Sequence, residues 1–131
     1  MVLVDTSVLI AWLRGHEHPK LSSFAEIADT PLWGISILTY QELLQGTRNQ
    51  KEYAQLQDYL KTQKIYYLPQ ELHFYDYATD LYRAIRRRGE TIRSIADTLI
   101  AVTAVYYGLE LLHHDKDFDT IAKYDRQLRI R

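Results

Sequence analysis

Short apolar runs alternate with stretches of helical period along this whole chain, and that alternation restricts the fold more than any other feature. Val2-Leu-Val4 is apolar without a polar alternate, which suits a strand covered on both faces of a parallel sheet. Asp5-Thr-Ser7 ends it and supplies cap residues for a helix from about Ser7 to Leu13. His16 to Lys20 reads as a loop and Ser22 to Asp29 as a short helix. Leu32 to Leu38 is a second strand, and Thr39 caps a helix that stops at Gly46, a residue type that tolerates positive φ. Lys51 to Thr62 is amphipathic, with Tyr53, Leu56 and Leu60 on one face. Ile65 to Leu68 is a third strand, closed by Pro69. Glu71 to Arg88 is a long helix ending at Gly89, with Phe74, Ala78, Leu81 and Ile85 along one stripe. Ser94 opens a helix through Tyr107 that is apolar almost all round, as a central buried helix is, and Gly108 ends it. Leu109 to Leu112 is a fourth strand and Leu128 to Ile130 a short fifth. The expectation is a single α/β domain over residues 1–131, with a mostly parallel central sheet of four to five strands flanked by helices and joined by right-handed crossovers.

Composition limits the chemistry. The 131 residues include no cysteine, which removes thiol catalysis, disulfides and cysteine zinc sites and fits a reducing cytoplasm. The N-terminus lacks the basic and apolar segments of a signal peptide. The longest apolar stretch, Leu99 to Leu112, is interrupted and too short to span a bilayer, so no membrane role is expected. Net charge is −1, which by itself opposes a general nucleic-acid binder. Its distribution is uneven, because Arg83, Arg86, Arg87, Arg88 and Arg93 crowd into one stretch while acids gather elsewhere.

Those acids fall at related places. Asp5 follows the first strand, and Glu42 is expected in the first turn of the helix after the second. Asp97 lies in the first turn of the central helix, and Asp115 and Asp117 follow the fourth strand. In a parallel α/β sheet, ligands bind outside the carboxyl ends of the strands, where these positions meet. Two carboxylates about 4 Å apart repel by roughly 4 kcal/mol at an effective dielectric near 20. A converging set therefore calls for a hard cation with oxygen ligands, Mg²⁺ or Mn²⁺. Such an ion supports phosphodiester hydrolysis. Taken singly, each acid also has a plainer explanation. Thr39-Tyr-Gln-Glu42 and Ser94-Ile-Ala-Asp97 both fit the capping box, and Asp5 fits an Asx turn. Asp115-Lys-Asp117-Phe-Asp119 reads as a polar loop. The plainer account does not explain why all of them fall at strand ends.

Other groups carry less. His16-Glu-His18 and His113-His114 are weak metal candidates, since neighbouring histidines on a strand point to opposite faces. The eleven tyrosines, Tyr66, Tyr67, Tyr75, Tyr77 and Tyr82 among them, sit where core or interface packing explains them better than base stacking. No glycine-rich phosphate loop occurs. Cations favour a helix C-terminus, but five arginines exceed that need and suggest phosphate contact.

Four segments resemble the motifs of PIN domains. These are Val4-Asp5-Thr6-Ser7-Val8-Leu9-Ile10, Ser36-Ile-Leu-Thr-Tyr-Gln-Glu42-Leu-Leu-Gln-Gly46, Arg88-Gly-Glu-Thr-Ile-Arg-Ser-Ile-Ala-Asp97-Thr-Leu-Ile-Ala101, and Leu111-Leu-His-His-Asp115-Lys-Asp117-Phe-Asp-Thr-Ile-Ala122. They span nearly the whole chain in order, and single-domain proteins of this length are similar to the VapC-type toxins of prokaryotic toxin–antitoxin pairs. The resemblance implies an Mg²⁺- or Mn²⁺-dependent endoribonuclease acting on cellular RNA, often tRNA or rRNA. It also implies a cytoplasmic homodimer silenced by a small cognate antitoxin. It carries Asp5, Glu42, Asp97 and Asp117 over as the catalytic quartet and Asp5, Asp97, Asp115 and Asp117 as metal ligands. Thr6 becomes an accessory hydroxyl, and Arg86, Arg87, Arg88 and Arg93 become candidate RNA contacts. Two rivals remain: a phosphate-receiving signalling domain, which lacks its second acidic pair here, and a catalytically inert PIN fold that binds RNA or protein.

Overall fold

In a strand buried on both sides, successive side chains enter opposite layers, and the first strand does this with three residues. In the computed structural model, which describes residues 1–131, β1 (Val2–Val4) sends Val2 and Val4 into one hydrophobic cluster and Leu3 into another. β4 (Glu110–Leu112) divides Leu111 and Leu112 the same way. With β2 (Trp33–Ser36), β3 (Lys64–Tyr66) and β5 (Arg129–Ile130) these strands form one sheet in the order β3-β2-β1-β4-β5, every pairing parallel.

Seven helices cover the two faces. On the Val2 and Val4 side lie α1 (Thr6–Leu13), α2 (Pro19–Ala25), α3 (Ile37–Gln45) and α4 (Gln50–Lys61), contributing Val8, Phe24, Leu43 and Leu60. On the Leu3 side lie α5 (Leu72–Arg87), α6 (Ile95–Tyr107) and α7 (Lys116–Tyr124), contributing Ile85, Ile100 and Phe118. Each of these aliphatic or aromatic side chains, once withdrawn from water, contributes about 2 kcal/mol before entropy is counted. The apolar α6 buries six residues between Thr98 and Ala104, but its ends depart from the expected all-round burial, with Ile95, Tyr106 and Tyr107 exposed because no helix covers them fully.

The topology locates the site. From β1 the chain steps to β2 and β3 on one side, then returns past β1 to β4 and β5 on the other. The strand order therefore reverses between β1 and β4, and a crevice opens there at the carboxyl ends. Asp5 N–H bonded to the Leu112 carbonyl at 2.9 Å marks its floor.

Several local expectations are corrected. β2 stops at Ser36 rather than running to Leu38, and Ser36, not Thr39, caps α3 by accepting from Leu38 N–H at 3.1 Å. A buried serine hydroxyl offers the helix its missing acceptor, which the apolar Ile37 and Leu38 cannot. Thr39 is instead fully buried inside the helix. Helix α2 begins at Pro19 rather than Ser22, because proline suits the first helical position and His18 Nδ1 caps it. Gly46 ends α3 at φ −83° without a left-handed turn, whereas Gly108 at φ +66° does end α6 with one. The segment read as a polar loop after β4 is largely α7, whose Phe118 and Ile121 pack inward. Gly34 in β2 allows a close approach to β3, since a Cβ there would lie 2.5 Å from the Lys64 carbonyl oxygen.

Candidate active site

Three helices begin at the crevice, and an acidic residue stands at or near the start of each. Asp5 is the N-cap of α1, where its Oδ2 accepts from Ser7 N–H at 3.0 Å and from Ser7 Oγ at 2.6 Å. Asp115 is the N-cap of α7, accepting from Asp117 N–H at 2.9 Å. Asp97 lies in the first turn of α6, where Ser94 Oγ accepts from Ala96 N–H at 3.2 Å. Helix N-termini carry partial positive charge, so three of them aimed at one crevice draw acids there. At Asp5 and Asp115 cap and site are thus the same residues, and there the two explanations open from the sequence do not compete. The capping boxes themselves do not close: neither the Glu42 nor the Asp97 carboxylate bonds back to a cap N–H. Glu42 sits a full turn into α3 because the helix starts at Ile37.

The crevice brings three of the proposed acids into one cluster, and Asp5 and Glu42 stand outside it but near enough to raise the Asp97 carboxyl. One carboxylate oxygen each from Asp97, Asp115 and Asp117 lies within 4.8 Å of the others. Asp5 and Asp117 are buried, at 5% and 4% exposure, while Glu42 lies on the open side. Asp97 registers the crowding most: burial, then Asp115, Asp5, Asp117 and Glu42 in turn, push its carboxyl from 3.8 up to about 7. Burial likewise raises the Asp5 carboxyl, against the bonds from Ser7 that lower it. Withdrawal from water raises Glu42 too, opposed by a hydroxyl at 3.0 Å from its Oε1, that of Thr6. Thr6 Oγ1 is also 3.2 Å from Thr39 Oγ1, and its single proton goes to the carboxylate.

Arg93 enters the same crevice from the segment before α6. Its Nε lies 3.2 Å from Asp117 Oδ2 and its Nη2 3.5 Å from Asp115 Oδ1. Asp117 foremost, then Asp115 and Asp97, hold the guanidinium still more firmly charged. The residue expected to face RNA is therefore occupied with the carboxylates. Arg86, Arg87 and Arg88 stand exposed at the end of α5, with one weak side-chain bond, from Arg86 to the Tyr82 hydroxyl at 3.4 Å.

The donor set suits a hard divalent cation. An octahedral Mg²⁺ holds neighbouring ligand oxygens about 3 Å apart at its usual bond length, so the three carboxylates, now within 4.8 Å of one another, would draw together around the ion. At 4.8 Å each ionised pair costs about 3 kcal/mol at an effective dielectric near 20, which a bound cation relieves.

Sequence reasoning did not find two supporting residues. Ser7 Oγ accepts from His114 N–H at 2.9 Å while donating to Asp5, tying the loop after β4 to the start of α1. His113 Nδ1 accepts from Asp115 N–H at 3.1 Å and so fixes that acid. Nothing but the opposite faces of paired histidines pointed to this: His113 is buried and His114 exposed. His16 and His18 join no metal-binding cluster. Tyr66 packs on Tyr107 with ring centres 4.9 Å apart, as expected of a packing residue.

Comparison with known proteins agrees with the geometry. The profile of the PIN domain matches residues 2–124. Ribonuclease VapC11 of Mycobacterium tuberculosis is 54% identical over 46 residues, 35% of this chain and 34% of that protein. The matched segment thus spans about a third of the curated relatives' length. Among solved structures, a toxin–antitoxin complex from Klebsiella pneumoniae covers 90% of each chain at 23% identity and a TM-score of 0.69. A DNA-bound VapBC from Salmonella typhimurium covers 99% of this chain and 96% of its own at 16% identity and a TM-score of 0.72. At such identities these structures speak for the fold. With the profile spanning all but the ends, the chain belongs to the PIN-domain family.

Proposed function

We propose that the protein is a divalent-metal-dependent endoribonuclease and the toxin of a toxin–antitoxin pair. The observation that carries this reading is Asp97, a carboxyl driven to about 7 by burial and then by four neighbouring acids, two of which, Asp115 and Asp117, form with it a cluster of oxygen donors. Carboxyls perturbed this far by burial and specific charge partners cluster at functional sites. Asp97, Asp115 and Asp117 would hold the cation, with Asp5 completing the set. Bound there, Mg²⁺ or Mn²⁺ supplies Lewis acidity and neutralises charge developing on the phosphate.

The chain's own groups do the rest. Glu42 is anchored through one oxygen by Thr6, which leaves the other free to take a proton from the attacking water. Asp97 gives up its proton as the site loads. Arg93, on a side chain 66% exposed, exchanges Asp115 and Asp117 for a substrate phosphate. Arg86, Arg87 and Arg88 extend phosphate contact along the strand. The toxin–antitoxin and VapBC complexes that share this fold support an antitoxin partner; the family resemblance adds that this antitoxin silences the site and that the protein works as a cytoplasmic homodimer.

The test is cleavage of single-stranded RNA, tRNA and rRNA by the purified protein, with Mg²⁺ or Mn²⁺ and with excess chelator. Cleavage with metal and none in chelator is expected. Undiminished cutting in chelator would end the carboxylate–metal mechanism, and RNA binding without cutting under any metal would leave an inert binding module.

A further inference from the structure

Beside the carboxylates lies a second cavity of about 600 Å³, lined by eight residues of which none is hydrophobic. One wall is His113, at 3% exposure. Its Nδ1 accepts from Asp115 N–H, so that nitrogen keeps its lone pair and the neutral ring carries its proton on Nε2. Nε2 is therefore a donor, and it has no hydrogen-bond partner despite its burial. A protonated nitrogen cannot ligate a metal, so the group that suits it is an anionic oxygen.

The surrounding charge points the same way. Lys20 of α2, Lys116 at the first position of α7, and Arg93 line the same cavity. Lys20 Nζ also donates to the Arg131 carbonyl, which leaves further ammonium protons to spare. Two acids stand against them: Asp115, paired with Arg93 at 3.5 Å, and Asp119. Asp119 Oδ1 is 3.4 Å from His113 Nε2, but its side chain is 65% exposed and free to turn into water. The cavity shares Asp115 and Arg93 with the carboxylate cluster, so a strand lying across that cluster passes over it.

We infer that this cavity is a phosphate-binding subsite for the RNA strand, taking a backbone phosphate adjacent to the one the carboxylates address. The inference rests on the ribonuclease reading, and its test separates the two. In the first arm, inorganic phosphate is titrated into the metal-free protein while the His113 Nε2–H resonance is followed by NMR. It should shift and saturate, more weakly in Lys20→Ala/Lys116→Ala and more tightly in Asp119→Ala. His113→Asn, which retains an acceptor for Asp115 N–H but lacks the Nε2 donor, should lose most phosphate affinity when the titration is followed at the backbone amide resonances of Asp115 and Lys116. In the second arm, RNA cleavage by Lys20→Ala/Lys116→Ala should show KM raised about tenfold with kcat little changed. The log–log salt slope of KM should fall by about 0.7 for each phosphate no longer neutralised.

A His113 resonance unmoved by phosphate overturns the inference. So does a phosphate response with unchanged KM and salt slope, which would mark a site for free phosphate rather than RNA. If the wild type cuts no RNA but His113 still responds to phosphate as described, the ribonuclease reading falls and the anion site stands.

Discussion

Asp97→Asn should make the metal-free protein more stable while destroying its activity. The folded state holds the Asp97 carboxyl at about 7 against an ordinary 3.8. A displacement of that size corresponds to about 4 kcal/mol, or about 2 kcal/mol once solvent screening of a half-buried group is allowed for. Below the ordinary value the group is protonated in both states and costs nothing. As pH rises from there to about 7, the unfolded chain releases the proton while the native state retains it, and stability falls; above about 7 the loss is complete. Asparagine is neutral throughout and nearly the same shape. Its lost attraction to the α6 N-terminus returns at most about 1 kcal/mol, so the sign survives. At about pH 8 in chelator the variant should melt several degrees above wild type, at about 3–5 °C per kcal/mol for a chain of this size. The gap should close towards pH 4. Saturating Mg²⁺ should raise the wild-type melting temperature and leave the variant almost unmoved. Thermal melts followed by circular dichroism across this pH range decide it. A variant melting at or below wild type at about pH 8, or a gap indifferent to pH, would refute the proposed crowding of charge around Asp97.

Glu42→Gln should alter stability by no more than about 0.5 kcal/mol, because Ser36 and not Glu42 caps α3, yet lower cleavage at least about a hundredfold in a single-turnover assay. Arg93→Ala removes the cation that competes for Asp115 and Asp117, so calorimetric titration should show Mn²⁺ binding roughly tenfold tighter, and weaker binding would contradict that competition. Replacing Arg86, Arg87 and Arg88 together by alanine should flatten the salt dependence of RNA binding by about 0.7 in log–log slope for each phosphate they neutralise, whereas an unchanged slope would return them to a helix-end role. Gly34→Ala should cost about 3 kcal/mol in denaturant unfolding, since its Cβ would meet the Lys64 carbonyl backbone, which cannot rotate aside.

The residues alone determined the layers and the chemistry. Val2-Leu-Val4 demands burial on both faces and specifies an inner strand before any partner is known, whereas the apolar run Ile95–Tyr107 is buried only through its middle, Thr98–Ala104, with Ile95, Tyr106 and Tyr107 left exposed at its ends. The acids at strand ends were legible for the same reason: carboxylates in such positions suit helix starts, and helix starts after parallel strands share one edge. Boundaries were less legible. Ser36 and Thr39 are both good caps by type, and only the burial of Thr39 beside Thr6 shows which one served. Helix α7 hid behind Asp115-Lys-Asp117-Phe-Asp119, because a dense run of charge reads as loop until Phe118 and Ile121 find a core to enter. What only the tertiary structure decided is pairing at long range. Nothing local to Arg93 says that its guanidinium lies on acids twenty-two and twenty-four positions away, and nothing local to His113 says that its Nε2 is buried without an acceptor. Propensity and hydrophobic period act over a few residues, whereas a crevice at a strand-order reversal forms only where distant segments are brought together by the packed sheet.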